Sequence, residues 1–193
     1  MENIVKQLTS RDRLYPPSYA LKKGLFKELD RRGIYAWFFK ELPYERIPTG
    51  ECYYTEDGYF LLYIGIAPSL IRGEPSRQNL RRRLRLHYFG NIQGSTLRKS
   101  LACLLKDKLS LEFREGVDSR RPKLTRDSRH RLTKWLDKNA LISWTTEDEP
   151  WLYEVELILK FKTPLNLDCN MHHPFYRELS KIRTRVLAEA SKT

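Results

Sequence analysis

Two aromatic, apolar runs bordered by glycine constrain this chain more than any other feature. Gly33 precedes Ile34-Tyr35-Ala36-Trp37-Phe38-Phe39, and Tyr59-Phe60-Leu61-Leu62-Tyr63-Ile64 precedes Gly65. Unbroken apolar runs of this length, rich in aromatic and branched side chains, read as buried β-strands. A glycine at a strand end lets the backbone turn or lets another group approach closely. The pattern delivers two tyrosines, Tyr35 and Tyr63, to one end of a sheet beside a strongly basic stretch.

Charge says what that sheet end faces. The 193 residues carry a net charge of +12, and the excess is local. Residues 72–99 hold Arg72, Arg77, Arg81, Arg82, Arg83, Arg85, Arg98 and Lys99 against Glu74 alone. Residues 120–134 hold Arg120, Arg121, Lys123, Arg126, Arg129, Arg131 and Lys134 against Asp127. The rest of the chain is close to neutral. A surface made only for solubility intersperses both signs, whereas two basic runs in a folded chain suit a polyanion, nucleic acid first. Each run also has a plainer reading as a solvated helix face.

Other classes are excluded or disfavoured. Cys52, Cys103 and Cys169 are widely spaced with no Cys-x-x-Cys, which argues against a disulfide framework or a cysteine zinc site and suits a reducing cytoplasm. No apolar stretch approaches the roughly twenty residues of a membrane span, and the charged first seventeen residues show no signal peptide.

The element order follows from punctuation. A helix is expected from Ser18 to about Asp30, then a strand from Gly33 to near Leu42-Pro43. Cys52 to Thr55 could form a hairpin with Tyr59 to Leu62 across Asp57-Gly58. Residues 66–77 read as a loop, Ser76 to Tyr88 as an arginine-rich helix, and Leu97 to about Lys108 as a helix capped by Ser95-Thr96. A charged hairpin or loop is expected over 110–125 and a basic helix over 126–139. A strand over Leu141 to Thr145 and a helix over Trp151 to Lys162 complete the core. This is an α+β fold, with a small antiparallel sheet of three or slightly more strands flanked by helices. The expected organisation is one domain, 1–193, with a core near 33–166, insertions near 43–58 and 66–77, and helical extensions at both ends.

Helical periodicity then singles out candidates. Along Trp151 to Lys162, Glu154 shares a face with Trp151, Leu157, Ile158 and Phe161. Glu156 pairs instead with Lys160 four residues on, an exposed contact worth about 0.3–0.5 kcal/mol. A carboxylate on an apolar stripe is costly without a cation or hydrogen bonds. A hard divalent cation such as Mg²⁺ would satisfy Glu154, and so would an arginine; periodicity leaves both open. In the arginine-rich helix, Arg83 and His87 fall with Leu80, while Arg81, Arg85 and Tyr88 fall opposite. The outward arginines suit phosphate contacts. Arg83 inward suits a site where charge develops, or a snorkelling side chain. His87 is a proton relay or a satisfied core histidine.

Taken together, Gly33-Ile34-Tyr35 and Tyr63-Ile64-Gly65, Leu80-Arg81-Arg82-Arg83-Leu84 with His87 four residues after Arg83, Glu154-Val155-Glu156-Leu157-Ile158, and Pro164-Leu165-Asn166 resemble the GIY-YIG nuclease superfamily. Leu165 to Phe175 resembles a stand-alone, poorly characterised bacterial branch of it. The resemblance implies a metal-dependent endonuclease that hydrolyses phosphodiester bonds in DNA, with RNA a further candidate. Glu154 would hold Mg²⁺ or Mn²⁺. Tyr35 or Tyr63 would activate water, Arg83 would stabilise the transition state, His87 would relay a proton or fix a tyrosine, and Asn166 would bond the backbone that positions the helix. Arg81, Arg82, Arg85, Arg98, Lys99, Arg126, Arg129 and Arg131 are the expected nucleic-acid contacts. The rival reading is a non-catalytic binding module on the same basic surface.

Two departures stand out. Twenty-seven residues separate Tyr35 from Tyr63, more than family members usually have, and Ile66 stands where many carry lysine. His172 and His173 are read as capping or packing residues. With no separate recognition domain visible, selectivity is expected from the insertions, the helix near Arg129, or a homodimer.

Overall fold

Strand β1 (Gly33–Phe39) is buried along its whole length, and the rest of the fold is arranged to cover it. The computed structural model describes residues 1–71, 73–114 and 121–191. Arg72 and Arg120, counted in the two basic runs, and the middle of the expected 110–125 hairpin lie outside the described residues.

In chain order, α1 (Glu2–Thr9) and the short α2 (Pro17–Ala20) precede β1, and β2 (Phe60–Ala67) follows it. The two-residue strands β3 (Leu70–Ile71) and β4 (Glu74–Pro75) come next, then α3 (Leu80–Phe89) and α4 (Thr96–Leu104). Strands β5 (Phe113–Arg114) and β6 (Lys123–Leu124) lead to α5 (Arg126–Asn139), β7 (Ala140–Thr146), α6 (Glu154–Phe161) and α7 (Tyr176–Ala190). The main sheet has the order β2-β1-β7 and is antiparallel throughout. The α+β architecture with a three-stranded antiparallel sheet flanked by helices is therefore as the sequence implied.

Alternation along β1 sends its side chains into two cores. Tyr35, Trp37 and Phe39 join Leu80 and Leu84 of α3, Leu97 and Leu101 of α4, Leu132 and Leu136 of α5, and Leu179 of α7. Ile34, Ala36 and Phe38 pack with Ile4 and Leu8 of α1 and with Leu157, Ile158 and Phe161 of α6. The aromatic content of the two runs thus serves a central strand clad in helices on both faces.

Several expected boundaries move. The helix from Ser18 to Asp30 breaks into α2 and a 3-10 turn at Lys27–Asp30, because Gly24 between them adopts φ 78°, outside helical geometry. Instead of a full hairpin, Tyr54 and Phe60 form an isolated bridge. The arginine-rich helix begins at Leu80, since Asn79 rather than Ser76 caps it, its side chain accepting from Arg82 N–H at 2.9 Å. Ser76 instead closes the β3–β4 hairpin, N–H to Ser69 carbonyl at 2.9 Å, so the 66–77 insertion carries its own small sheet. Helix α4 starts under the expected Ser95 cap and stops at Leu104. The last core helix is split: Pro150–Leu152 form a 3-10 turn and α6 begins at Glu154. No helix among the described residues is long and apolar enough to cross a membrane.

Candidate active site

Register brings the two glycine-bordered triplets face to face. In the β1–β2 pairing Tyr35 lies opposite Gly65, and Trp37 opposite Tyr63. The Tyr35 ring crosses directly over residue 65: a Cβ there would sit 2.6 Å from Tyr35 Cζ and closer still to its hydroxyl. Glycine is required at 65 because the phenol occupies the space of a side chain. Gly33 has an analogous cause two positions before Tyr35, where a Cβ would collide with the Thr145 carbonyl and lie 2.9 Å from Leu80 Cδ1.

Tyr35 is fully buried and its hydroxyl lies 2.6 Å from His87 Nε2. His87 Nδ1 lies 2.6 Å from Ser95 Oγ, which also accepts the Arg98 N–H at 2.9 Å to cap α4. The buried chain Tyr35–His87–Ser95 admits two proton arrangements. Either Tyr35 donates to Nε2 while Nδ1–H donates to Ser95, or Ser95 donates to Nδ1 while Nε2–H donates to the phenol oxygen. His87 is therefore both core residue and site residue, a combination the helical period alone could not settle. Burial, reinforced by Arg83 and Arg98, pushes its pKa well below 6.5, so the ring is neutral near pH 7.

Tyr63 completes the pair, its ring centroid 6.4 Å from that of Tyr35. Arg83 reaches the cavity from α3 and donates to the Gly94 carbonyl at 3.2 Å. Glu154 enters from the first turn of α6. All four side chains border one cleft of about 200 Å³, together with Gly65, Ile66, Thr96, Asn166 and Asp168. The outermost strand β2 has a free edge here, and Asn166 closes it. Its Nδ2 donates to the Ile64 carbonyl at 2.7 Å and its Oδ1 accepts the Ile64 N–H at 3.0 Å, while Leu165 N–H donates to the Leu62 carbonyl at 3.0 Å. The amide acts as a one-residue strand partner. Asn166 thus bonds backbone, as expected, and the backbone it holds is that of the strand that carries Tyr63.

The electrostatics show a site short of positive charge. Burial, and next the Tyr63 phenol, push the Tyr35 pKa well above 10, with Arg83 opposing. Burial pushes Tyr63 up to about 12, again against Arg83. Burial and the nearby Asp168 raise Glu154 to about 7, and Arg83 only partly offsets them. Burial also disfavours the Arg83 charge, but the two phenols and Glu154 outweigh it and its pKa lies above the ordinary value. With both phenols uncharged near neutral pH, the one guanidinium faces two carboxyl groups, Glu154 and Asp168. A hard cation fits the deficit: Mg²⁺ is commonly held by one or two carboxylates with water and substrate phosphate making up the rest. Among the described residues no group of three or more His, Cys, Asp or Glu side chains forms a self-sufficient metal cage, so substrate oxygens would have to complete the coordination.

The expected nucleic-acid contacts divide. Arg82, Arg85 and Arg126 are exposed, and Arg85 lies 4.8 Å from the centroid of the exposed Phe89 ring. Arg129, half-buried, lines a hollow with Phe89, Arg126 and His130. Lys99 is half-buried on α4. Arg131 is exposed but ties its guanidinium to the Ser110 carbonyl at 2.7 Å. Two expectations are overturned. Arg81 forms a forked pair with Asp30, at 2.7 and 3.1 Å, and donates to the Phe26 carbonyl at 2.6 Å, clamping α3 to the segment before β1. Arg98 is wholly buried and gives its N–H groups to the carbonyls of Tyr88, His87 and Arg129 and to Thr133 Oγ1. Neither has a free face for phosphate. Charge in the sequence marks both as surface cations; only packing shows them as internal clamps.

His173 is structural, as read from sequence: Nε2 lies 3.1 Å from the Lys162 carbonyl and Nδ1 accepts the Phe175 N–H at 3.1 Å. Ser95 and Asp168 are site residues that motif reading missed. Ser95 was visible only as a helix cap, and Asp168 reaches the cleft because Asn170 ties its turn down, donating to the Thr163 and Asn166 carbonyls at 2.8 and 3.1 Å.

Comparison with known families gives one match. Residues 33–185 correspond to the family described as the GIY-YIG catalytic domain, a span running past the expected core boundary at 166 to take in most of α7. No curated protein and no solved structure matches the chain.

Proposed function

The chain belongs to the GIY-YIG nuclease superfamily, and from that premise we propose that it is a divalent-metal-dependent endonuclease acting on DNA, with the cleft between Tyr35 and Glu154 as its catalytic centre. The family supports nuclease chemistry in general; the metal, the substrate and the residue roles are this reading. One observation carries it. Glu154, Arg83, Tyr35 and Tyr63 come from four different elements yet border a single cleft of about 200 Å³.

Each side chain has a task its surroundings suit. Glu154 would hold Mg²⁺ or Mn²⁺, which when bound supplies positive charge to the scissile phosphate and the departing oxygen. Arg83, charged and partly desolvated, would bind a non-bridging oxygen and stabilise the charge that accumulates as water adds. Removing such a donor typically costs about 10²–10³ in rate. Tyr35 or Tyr63 would orient the attacking water and accept its proton. Since burial raises both phenols, either can serve as base only when positive charge near it restores the phenolate, so chemistry is coupled to a filled site. His87, neutral and 2.6 Å from the Tyr35 hydroxyl, would fix the phenol by hydrogen bonding at Nε2, its own ring held through Nδ1 by Ser95. Asn166 keeps Tyr63 in place by closing the β2 edge.

The experiment is cleavage of supercoiled plasmid with Mg²⁺ and with EDTA by wild type and Glu154→Ala, with folding checked by circular dichroism. Cutting by wild type only with metal, lost in the variant, is expected. Equal cutting in every lane would expose a contaminant. Salt-sensitive binding by well-folded wild type without cleavage of DNA or RNA would establish the binding-module reading instead.

A further inference from the structure

Beyond the cleft, one face of α4 continues the site. Thr96 borders the cleft, and Lys99, Ser100 and Cys103 recur on the same face at helical spacing. Helix α7 packs along this face and contributes Arg183, whose Nη1 donates to Ser100 Oγ at 3.4 Å. Lys99 and Arg183 are both half-buried, yet neither forms an ion pair among the described residues. Lys99 Nζ makes no hydrogen bond there either. Burial first, then the Arg183 charge and more weakly Arg121, disfavour the Lys99 ammonium. Burial also disfavours the Arg183 charge, which Cys103, Asp168 and Tyr63, the last two at the cleft, only partly restore.

A half-buried lysine beside a second cation and with no carboxylate of its own is unfavourable in isolation. The acids elsewhere on α7 are engaged away from this spot, Glu178 with Arg46 at 2.9 Å and Glu189 with Lys106 at 2.9 Å. An anion set between α4 and α7 would relieve the repulsion, and the spot lies one helical turn from the cleft wall at Thr96. That spacing suits a neighbouring link of the same polymer.

We propose that Lys99 and Arg183 form an anion subsite that takes the backbone phosphate adjacent to the scissile one, guiding the substrate strand along the α4–α7 seam. The inference rests on the nuclease reading. It adds a contact from α7 that no basic run in the sequence indicated. Arginine there supplies a planar fork for two phosphate oxygens and lysine a point charge.

The test is metal-free binding, so it does not depend on cleavage. Fluorescence anisotropy of a labelled duplex and a labelled single strand is followed in EDTA over a series of NaCl concentrations, for wild type, Lys99→Gln, Arg183→Gln and the double variant. Loss of one shared phosphate contact should reduce the log–log salt slope by about 0.9 for duplex and about 0.7 for single strand, with affinity at low salt falling several-fold. Thermal melts check folding. If Arg183→Gln does not fold, Lys99→Gln decides the matter, because its head group has no structural bond to lose. Unchanged slope and affinity in folded variants would overturn the subsite while leaving the nuclease reading standing. Failure of wild type to bind either nucleic acid would overturn both.

Discussion

Replacing Glu154 with glutamine should make the metal-free protein more stable at neutral and alkaline pH. The folded carboxyl has its pKa raised from an ordinary 4.5 to about 7, by burial first and Asp168 second. Between those values the folded state holds a proton that the unfolded chain has released, so on this group's account stability falls as pH rises through the window. At about 1.4 kcal/mol per pH unit the loss approaches about 3 kcal/mol by pH 8 and is near zero at pH 4. Glutamine keeps the shape of the protonated acid and cannot ionise. The variant should therefore match wild type near pH 4 and exceed it by about 3 kcal/mol at pH 8, roughly 6–12 °C in Tm for a chain of this size. Differential scanning calorimetry in EDTA across that range measures it. Mg²⁺ should then stabilise wild type by mass action and leave the variant unmoved. A variant no more stable than wild type at pH 8, or a difference independent of pH, would refute the picture of an uncompensated carboxylate awaiting a cation.

Other residues give sharp expectations. Gly65→Ala should lower cleavage by about 10² or more through displacement of the Tyr35 phenol, at a stability cost of about 1–3 kcal/mol; a fully active variant would disprove the contact. By ¹⁵N NMR the His87 ring should stay neutral well below the ordinary histidine midpoint of 6.5, and titration near that ordinary value would contradict its buried, neutral state. Arg98→Met should cost about 2–4 kcal/mol in urea unfolding by stranding the carbonyls it serves, while the salt slope of nucleic-acid binding by the folded fraction stays that of wild type.

The reach of sequence reading differs from residue to residue. Glu154 was separable from Glu156 by the helical period alone, although the true helix begins at Glu154 and a 3-10 turn precedes it. The resemblance covered Tyr35, Tyr63, Arg83, Glu154 and Asn166, and these do line one cleft. It leaves open which backbone Asn166 holds, because a side-chain amide closing a strand edge is a contact between segments about a hundred residues apart. Ser95 looked like a cap and is one, but its second bond, to His87, depends on how α3 meets α4. Arg183 belongs to neither of the two basic runs at 72–99 and 120–134 and becomes conspicuous only where α7 lies beside α4.

Local chemistry is written in the sequence by itself: which runs can be buried strands, which residues cap helices, where positive charge accumulates, and which carboxylate lies on an apolar stripe. These follow from properties of neighbours within a few positions. Tertiary structure alone decided which cations are free. Arg81 and Arg98 sit in the same basic run as Arg82 and Lys99, yet the first two are spent on Asp30 and on buried carbonyls while the others keep an open face. A charge is available to a substrate only if no internal partner satisfies it, and for Arg81 those partners lie as many as 55 positions away.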